Sequence, residues 1–260
     1  MGSATTQALA ASASALDAAP VDLDTARELF AASRAVAGAP ALSGALTDSA
    51  ATAENRGALV SRAFGSLSLV TRGLIAQAVS QRWSSGDDLV SGLEELAIRA
   101  AAKAEPADVE AELFQVVRII SANPQLELAL GSRLGGSAKK GELIGSLLQG
   151  RASEGTTLIV SSLVQQSHGR RVRAMLNRAM RIAAAQRGRT VATVYTAVPL
   201  SPVQSERLAS ALSNRYGGEI ALNPVIDPTV VGGIRIQVAD DVIDGSISSR
   251  LADLRQRLAG

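Results

Sequence analysis

Between residues 108 and 121 the apolar side chains fall at Leu113, Val116, Val117 and Ile120. That is the i, i+3, i+4, i+7 spacing of a helix with one buried face. Asn123-Pro124 ends this helix, because the residue before a proline is pushed out of the helical region. The same kind of pattern predicts helices over about 138–149, 156–167 and 171–187, with Leu143, Leu147 and Leu148 marking the first of these. A helix over 5–16 opens the chain, and one over 88–104 lies between the two halves of the helical part.

The pattern repeats. Glu28-Leu29-Phe30 recurs as Glu112-Leu113-Phe114, an offset of 84. At that offset Arg34 meets Arg118, Pro40 meets Pro124, Leu42 meets Leu126, Ala45-Leu46 meets Ala129-Leu130, and Gly57 and Leu59 meet Gly141 and Leu143. The register runs on without a gap through Leu74-Ile75 onto Leu158-Ile159, Gln81 onto Gln165 and Ile98 onto Ile182. A repeat of this length implies a duplicated domain. Copy one is expected over 1–104 and copy two over 105–189, and the helix over 88–104 is placed to close the first and open the second.

From Arg189 the spacing changes. Thr190–Val198 is rich in β-branched residues and reads as a strand that Pro199 ends. Ser201-Pro202 then caps a helix to about Arg215, Gly217-Gly218 closes it, and strands are expected over about 219–226 and 233–238. A last helix, capped by Asp244 or Ser246, carries Ile247, Leu251, Leu254 and Leu258 on one stripe. The fold class is therefore mainly α: two tandem helical bundles, then a small α+β domain over 190–260 in β-α-β-β-α order.

Composition narrows what such a fold can do. Of the 260 residues, 47% are hydrophobic and 2% aromatic, and alanine is abundant through the helical part, so helix contacts are made by small side chains. No Cys is present, which removes disulfides, thiolate nucleophiles and Cys-ligated metals. The start, MGSATTQALAASASALDAAP, lacks the basic n-region of a signal peptide, and export is not expected. No apolar run approaches the ~20 residues that span a bilayer, so membrane association is expected only through partners.

Candidate chemistry is thin. Asp240, Asp241 and Asp244 sit in what reads as a turn, and they lack both the spacing and the terminal Glu of a calcium loop. Gly232-Gly233 has no following Gly-Lys-Ser/Thr and leads into a strand, so it reads as a turn rather than a phosphate loop. The single His168 stands beside Gly169 with no acid partner nearby, as a loop or cap histidine does. No catalytic residue, metal or cofactor is expected. Charge separates the copies: residues 1–105 carry a net −3, 106–189 a net +6 and 190–260 a net −1. In the segment 168–189, Arg170, Arg171, Arg178, Arg181 and Arg189 fall within an arc of about 100° on a helical wheel. Such a face suits solvent or an acidic protein partner; without interleaved aromatics it lacks the stacking platform of a nucleic-acid binder.

The C-terminal run resembles a known family. Ala197 through Pro199-Leu200-Ser201, Val225-Ile226-Asp227-Pro228 with Gly232-Gly233, and Ile243-Asp244-Gly245-Ser246 before the final helix are together similar to the delta subunit of F-type ATP synthase, the bacterial counterpart of the mitochondrial oligomycin-sensitivity-conferring protein. Asn123-Pro124, Lys139-Lys140 and Gly169-Arg170-Arg171 resemble that family's six-helix bundle and the linker helix behind it. Most members have one bundle, and the added copy is a departure shared with longer actinobacterial-type members.

The resemblance implies a non-catalytic stator subunit, one copy per complex, on the cytoplasmic face of the plasma membrane. Its bundle would bind the N-terminal segments of alpha subunits and its C-terminal domain a b-type peripheral stalk, so that proton-driven rotation is coupled to ATP synthesis. The alpha-binding groove is implied between the first and fifth helices. In copy one this sets Leu9 and Leu16 against Leu74, Ile75 and Val79; in copy two it sets Leu93 and Leu96 against Leu158, Ile159 and Leu163. Leu251, Leu254 and Leu258 would face the stalk. Asp227, Pro228, Gly232, Gly233, Asp244, Gly245 and Ser246, with Pro199 and Leu200, would frame the C-terminal domain. Which copy binds alpha stays open. The alternative is a free helical-repeat adaptor or nucleic-acid binder using the basic second copy.

Overall fold

The computed structural model describes residues 2–132, 136–167, 169–238 and 241–247. His168, Asp240 and the stripe Leu251, Leu254 and Leu258 lie outside the described residues. The chain divides into two compact units, residues 1–183 and 184–260.

The first unit is helical. Copy one supplies α1 (Ser3–Ala18), α2 (Leu23–Gly38), α3 (Pro40–Thr47), α4 (Ala53–Ala63), α5 (Leu69–Ser80) and α6 (Gly86–Ala104). Copy two continues with α7 (Val109–Ala122), α8 (Pro124–Gly131), α9 (Ser137–Leu148), α10 (Glu154–Gln165) and α11 (Val172–Gln186). Starts are set by side-chain caps: Asp22, Thr52, Ser68, Ser85, Asp108 and Ser153 each accept the backbone N–H three residues on. At Asp22 the bond from the Thr25 N–H is the main cause of a pKa held below the ordinary carboxyl value.

Two helices were not expected. Asn123-Pro124 does end α7, but Pro124 is the first residue of a new helix, α8, and Pro40 opens α3 in the same way. A proline costs nothing at the first helical position, where its missing N–H would have no partner. The short helices are therefore starts that read as stops.

Copy two follows copy one helix by helix. Leu29 and Leu113, Phe30 and Phe114, Leu46 and Leu130, and Val60 and Ile144 are all buried at the offset of 84. From α5 and α10 onward the ungapped register needs correcting. The caps are Ser68 and Ser153, one residue further apart, and the buried pairs become Thr71 with Thr156, Leu74 with Ile159 and Val79 with Val164. Glu28 makes the slip visible. Its carboxylate accepts from the Ser68 N–H at 3.1 Å and from the Ser68 hydroxyl at 2.7 Å, as well as from Thr71. Glu112 accepts from the Ser153 N–H at 3.0 Å and its hydroxyl at 2.6 Å. Each Glu thus ties the second helix of its copy to the cap of the fifth. Burial works to raise the Glu28 pKa, and the hydrogen bonds from Thr71 and Ser68 outweigh it.

At the same offset α6 stands where copy two needs its counterpart of α1. It packs against α1, α2, α3 and α5 on one side of the repeat and α10 on the other. From Leu89 to Ala102 only Ser91 and Arg99 are not buried.

The second unit is a four-stranded sheet with β1 (Arg189–Thr196), α12 (Pro202–Tyr216), β2 (Glu219–Ile226), β3 (Ile234–Val238) and β4 (Asp241–Asp244), in the order β2-β1-β3-β4. Parallel β1 and β2 are joined through α12, and the other pairings are antiparallel. Ala192, Val194, Leu212, Ile220, Ile236 and Val238 form its core. The expected turn over the acidic residues is in part a strand: Asp241–Asp244 pair with Val238–Arg235 as β4. Four residues with acids at both ends carry little strand propensity, and the ladder with β3 supplies what the local sequence does not.

Candidate interaction surfaces

The residues that frame the second unit come together at one end of its sheet. The Asp227 N–H donates to the Thr196 carbonyl at 2.8 Å, which brings the end of β2 to the end of β1. The Asp227 carboxylate then accepts from the Thr229 N–H at 3.0 Å and its hydroxyl at 2.6 Å. The chain passes Gly232 and Gly233, at φ of 67° and 75°, and enters β3. Opposite, Asp244 accepts from the Ser246 N–H at 2.9 Å, and the Gly245 N–H donates to the Ile234 carbonyl at 2.9 Å. A Cβ on Gly233 would lie 2.4 Å from the Gly245 carbonyl oxygen. Only glycine meets both conditions, left-handed backbone and close approach.

Electrostatics follow the turns. Hydrogen bonds from Thr229 hold the Asp227 carboxyl below its ordinary pKa, and those from Ser246 do the same for Asp244. Arg235 sits 3.7 Å from Asp227 and stacks 4.5 Å from the centre of the Tyr195 ring. Before the first helix of this unit Pro199 is exposed, Leu200 packs on the core, and Ser201 forms a reciprocal cap with Gln204. These carboxylates accept backbone and hydroxyl protons in turns. No group of three or more His, Cys, Asp or Glu placed to hold a metal occurs among the described residues.

In the first unit the two implied grooves differ. Leu16, Leu74, Ile75 and Val79 are buried where α1 packs on α5, and Leu9 is half-buried at that seam. Leu93, Leu96, Ile159 and Leu163 are buried where α6 packs on α10, with Leu158 half-buried. On α1 the buried residues are Thr5, Ala8, Ser12 and Leu16, a single stripe, and its other positions are half-buried or exposed. On α6 almost nothing is open.

The basic helix is reshaped most. Arg170 grips Glu94 with both nitrogens, at 2.7 and 2.9 Å. Arg178 reaches Glu94 at 3.3 Å and Glu95 at 2.9 Å, and Arg99 meets Glu95 at 2.9 Å. Both glutamates are buried, at 5% and 6% exposure. Two of the five arginines on the expected solvated arc are therefore spent inside the unit, while Arg171 and Arg181 remain exposed. The acidic partner that the arc suits lies in the same chain. Its signal was present as adjacent acids inside an apolar helix, Leu93-Glu94-Glu95-Leu96, since Glu is rarely buried unless paired.

No single helix among the described residues is long and apolar enough to cross a membrane. The family model described as "ATP synthase delta (OSCP) subunit" matches residues 95–258. The delta subunit of ATP synthase from Leifsonia xyli subsp. xyli is 46% identical over 264 residues, covering all of both chains. That of Streptomyces avermitilis is 46% identical over 220 residues, 82% of this chain and 81% of its own. Among solved structures, a chain of the Toxoplasma gondii mitochondrial ATP synthase hexamer aligns at 21% identity with a TM-score of 0.39, covering 64% of this chain and 96% of that one.

Proposed function

This chain belongs to the ATP synthase delta (OSCP) subunit family, and from that premise we propose how its surfaces are used. As a member it is a non-catalytic stator subunit of F-type ATP synthase that serves ATP synthesis and proton transport in the peripheral stalk. Its partners are other subunits of that complex, and its association with the membrane runs through them.

The finer assignments are ours. One copy of the chain sits on the catalytic head at the cytoplasmic face of the plasma membrane. The helical unit takes an amphipathic N-terminal segment of an alpha subunit, and the second unit meets a b-type stalk through the framed sheet and the stripe Leu251, Leu254 and Leu258. The copies divide at 104/105 and share α6.

Of the two grooves, the alpha segment uses the α1/α5 seam. The burial of α6 carries this reading. An amphipathic helix docks by laying i, i+3, i+4, i+7 anchors on an accessible apolar face. Because α6 serves both copies, the face that α1 leaves open is closed on α6 by copy one. On the same two helices the half-buried Ala13 and Ala76 and the exposed Gly73 carry no large side chain to block an incoming helix.

Calorimetric titration of the full chain with a peptide of the alpha N-terminal segment tests this. Leu9→Glu should weaken binding at least about tenfold, roughly 1.4 kcal/mol, and Leu158→Glu should leave it nearly unchanged. The reverse order would move the site to copy two, and no binding by the unsubstituted chain would reject the groove. Point variants are needed because removal of residues 1–104 would take away α6 and leave the core of copy two open.

A further inference from the structure

The buried charge cluster does not belong to either proposed docking surface. Glu94 and Glu95 lie at the middle of α6, and Arg170 and Arg178 come from the start and the second turn of the chain around α11, 76 and 84 residues away from Glu94. The last residues of α11, Ala184–Gln186, already belong to the second unit, and the chain runs on through Gly188 into β1. A pull or twist applied to the second unit therefore arrives in the first unit along α11. What α11 is fastened to decides where that force goes.

We propose that Glu94, Glu95, Arg170 and Arg178 are the joint through which force arriving along α11 is delivered to α6. The two-pronged contact of Arg170 with Glu94 fixes direction as well as distance, which a single apolar contact does not. A slip of α11 by one residue, about 1.5 Å along its axis, would stretch and misalign the contacts that Arg170 and Arg178 make with α6. Because Glu94 is buried and is paired by Arg170 and Arg178, the slipped state would weaken the pairing of a charge inside the unit, and salt screens it little. A greasy interface slides; this one holds register until it breaks. On the receiving side α6 packs against α1, α2, α3, α5 and α10, so the load spreads through the whole helical unit rather than stripping one helix from its edge.

The purpose of the joint rests on the stator reading, and its existence does not. Optical-tweezers pulling on the full chain tests it without any partner. Handles go on cysteines placed at the exposed Asp87 and Asn214, and the chain has no other Cys. In the unsubstituted protein the helical unit should give way in one step with α11 attached. In Glu94→Gln, and in Arg170→Lys, which keeps the charge and loses the fork, α11 should come away first. That early step should appear at lower force, with an extension of up to about 60 Å for the freed segment at roughly 3.5 Å per residue. If Glu94→Gln does not fold, Arg170→Lys carries the test alone. An early step in the unsubstituted chain, or identical traces in all the proteins, overturns the proposal. The peptide titration judges the stator surfaces separately, so either idea can fail alone.

Discussion

Gly233→Val is the sharpest test of the second unit. Gly233 has φ of 75°, and a Cβ there would lie 2.4 Å from the Gly245 carbonyl oxygen and 3.1 Å from the Ser246 Cα. Both are backbone atoms, so no side chain can swing aside. The left-handed conformation alone costs a β-branched residue roughly 1–3 kcal/mol. Relieving the overlap must also pull the end of β4 away from the start of β3. That movement removes the Gly245 N–H bond to Ile234 and the 3.3 Å bond from Ile247 to Gly232, at about 1 kcal/mol each. The sum is about 3–5 kcal/mol, against about 4–11 kcal/mol for a unit of this size at 0.05–0.15 kcal/mol per residue. Calorimetry should show the transition of the second unit lowered by about 12 °C or more, with that of the helical unit in place. The proposed binding to a b-type stalk should weaken, and ATP hydrolysis by the isolated head should not change. Gly217→Ala is the control: its φ is 69° and nothing lies within 4 Å of the added Cβ, so it meets strain without collision. A Gly233→Val transition within a few degrees of the original, or no lower than that of Gly217→Ala, would refute the reasoning.

Two further outcomes follow from single contacts. Gly92→Ala should destabilise the helical unit by roughly 1–2 kcal/mol although alanine favours a helix, because its Cβ would lie 2.2 Å from the rigid Trp83 ring. The displaced Trp83, the sole tryptophan, should shift its emission to the red, and a stabilised helix with unchanged fluorescence would count against the packing described. Because Asp227 and Asp244 have folded pKa values below the usual 3.8, their hydrogen bonds stabilise the second unit fully above that value and are lost as pH falls through the lower folded values. Melting of that unit between pH 7 and 2.5 should therefore drop below about pH 4, and Asp227→Asn should flatten the drop; an acid limb of the same size in Asp227→Asn would contradict it.

Much of this molecule is local and is therefore legible along the chain. The cap at Ser201, the stripe Leu113-Val116-Val117-Ile120 and the β-branched run of β1 are set by near neighbours in the chain, and the pattern places the helices and the strand to within a few residues. The duplication is legible because two copies of one fold bury the same positions. The family frame is legible because turns demand particular residues at Asp227, Gly233 and Asp244. Errors arose where a local signal has two meanings: Pro40 and Pro124 both end one helix and begin another, and Asp241–Asp244 is a strand only because β3 lies beside it.

Only the tertiary structure decides what α6 is. Its sequence, apolar with Glu94 and Glu95 in the middle, specifies a helix but not that it packs on α10 as well as on α1, α2, α3 and α5, nor that an arginine 76 residues later closes on its buried acid. The one-residue slip between the copies, the difference between an open α1 and a closed α6, and the approach of Gly233 to Gly245 are of the same kind. Periodicity reports which face of a helix avoids water. Whether a second element supplies that shelter, and from how far along the chain, depends on packing that no window of neighbouring residues contains.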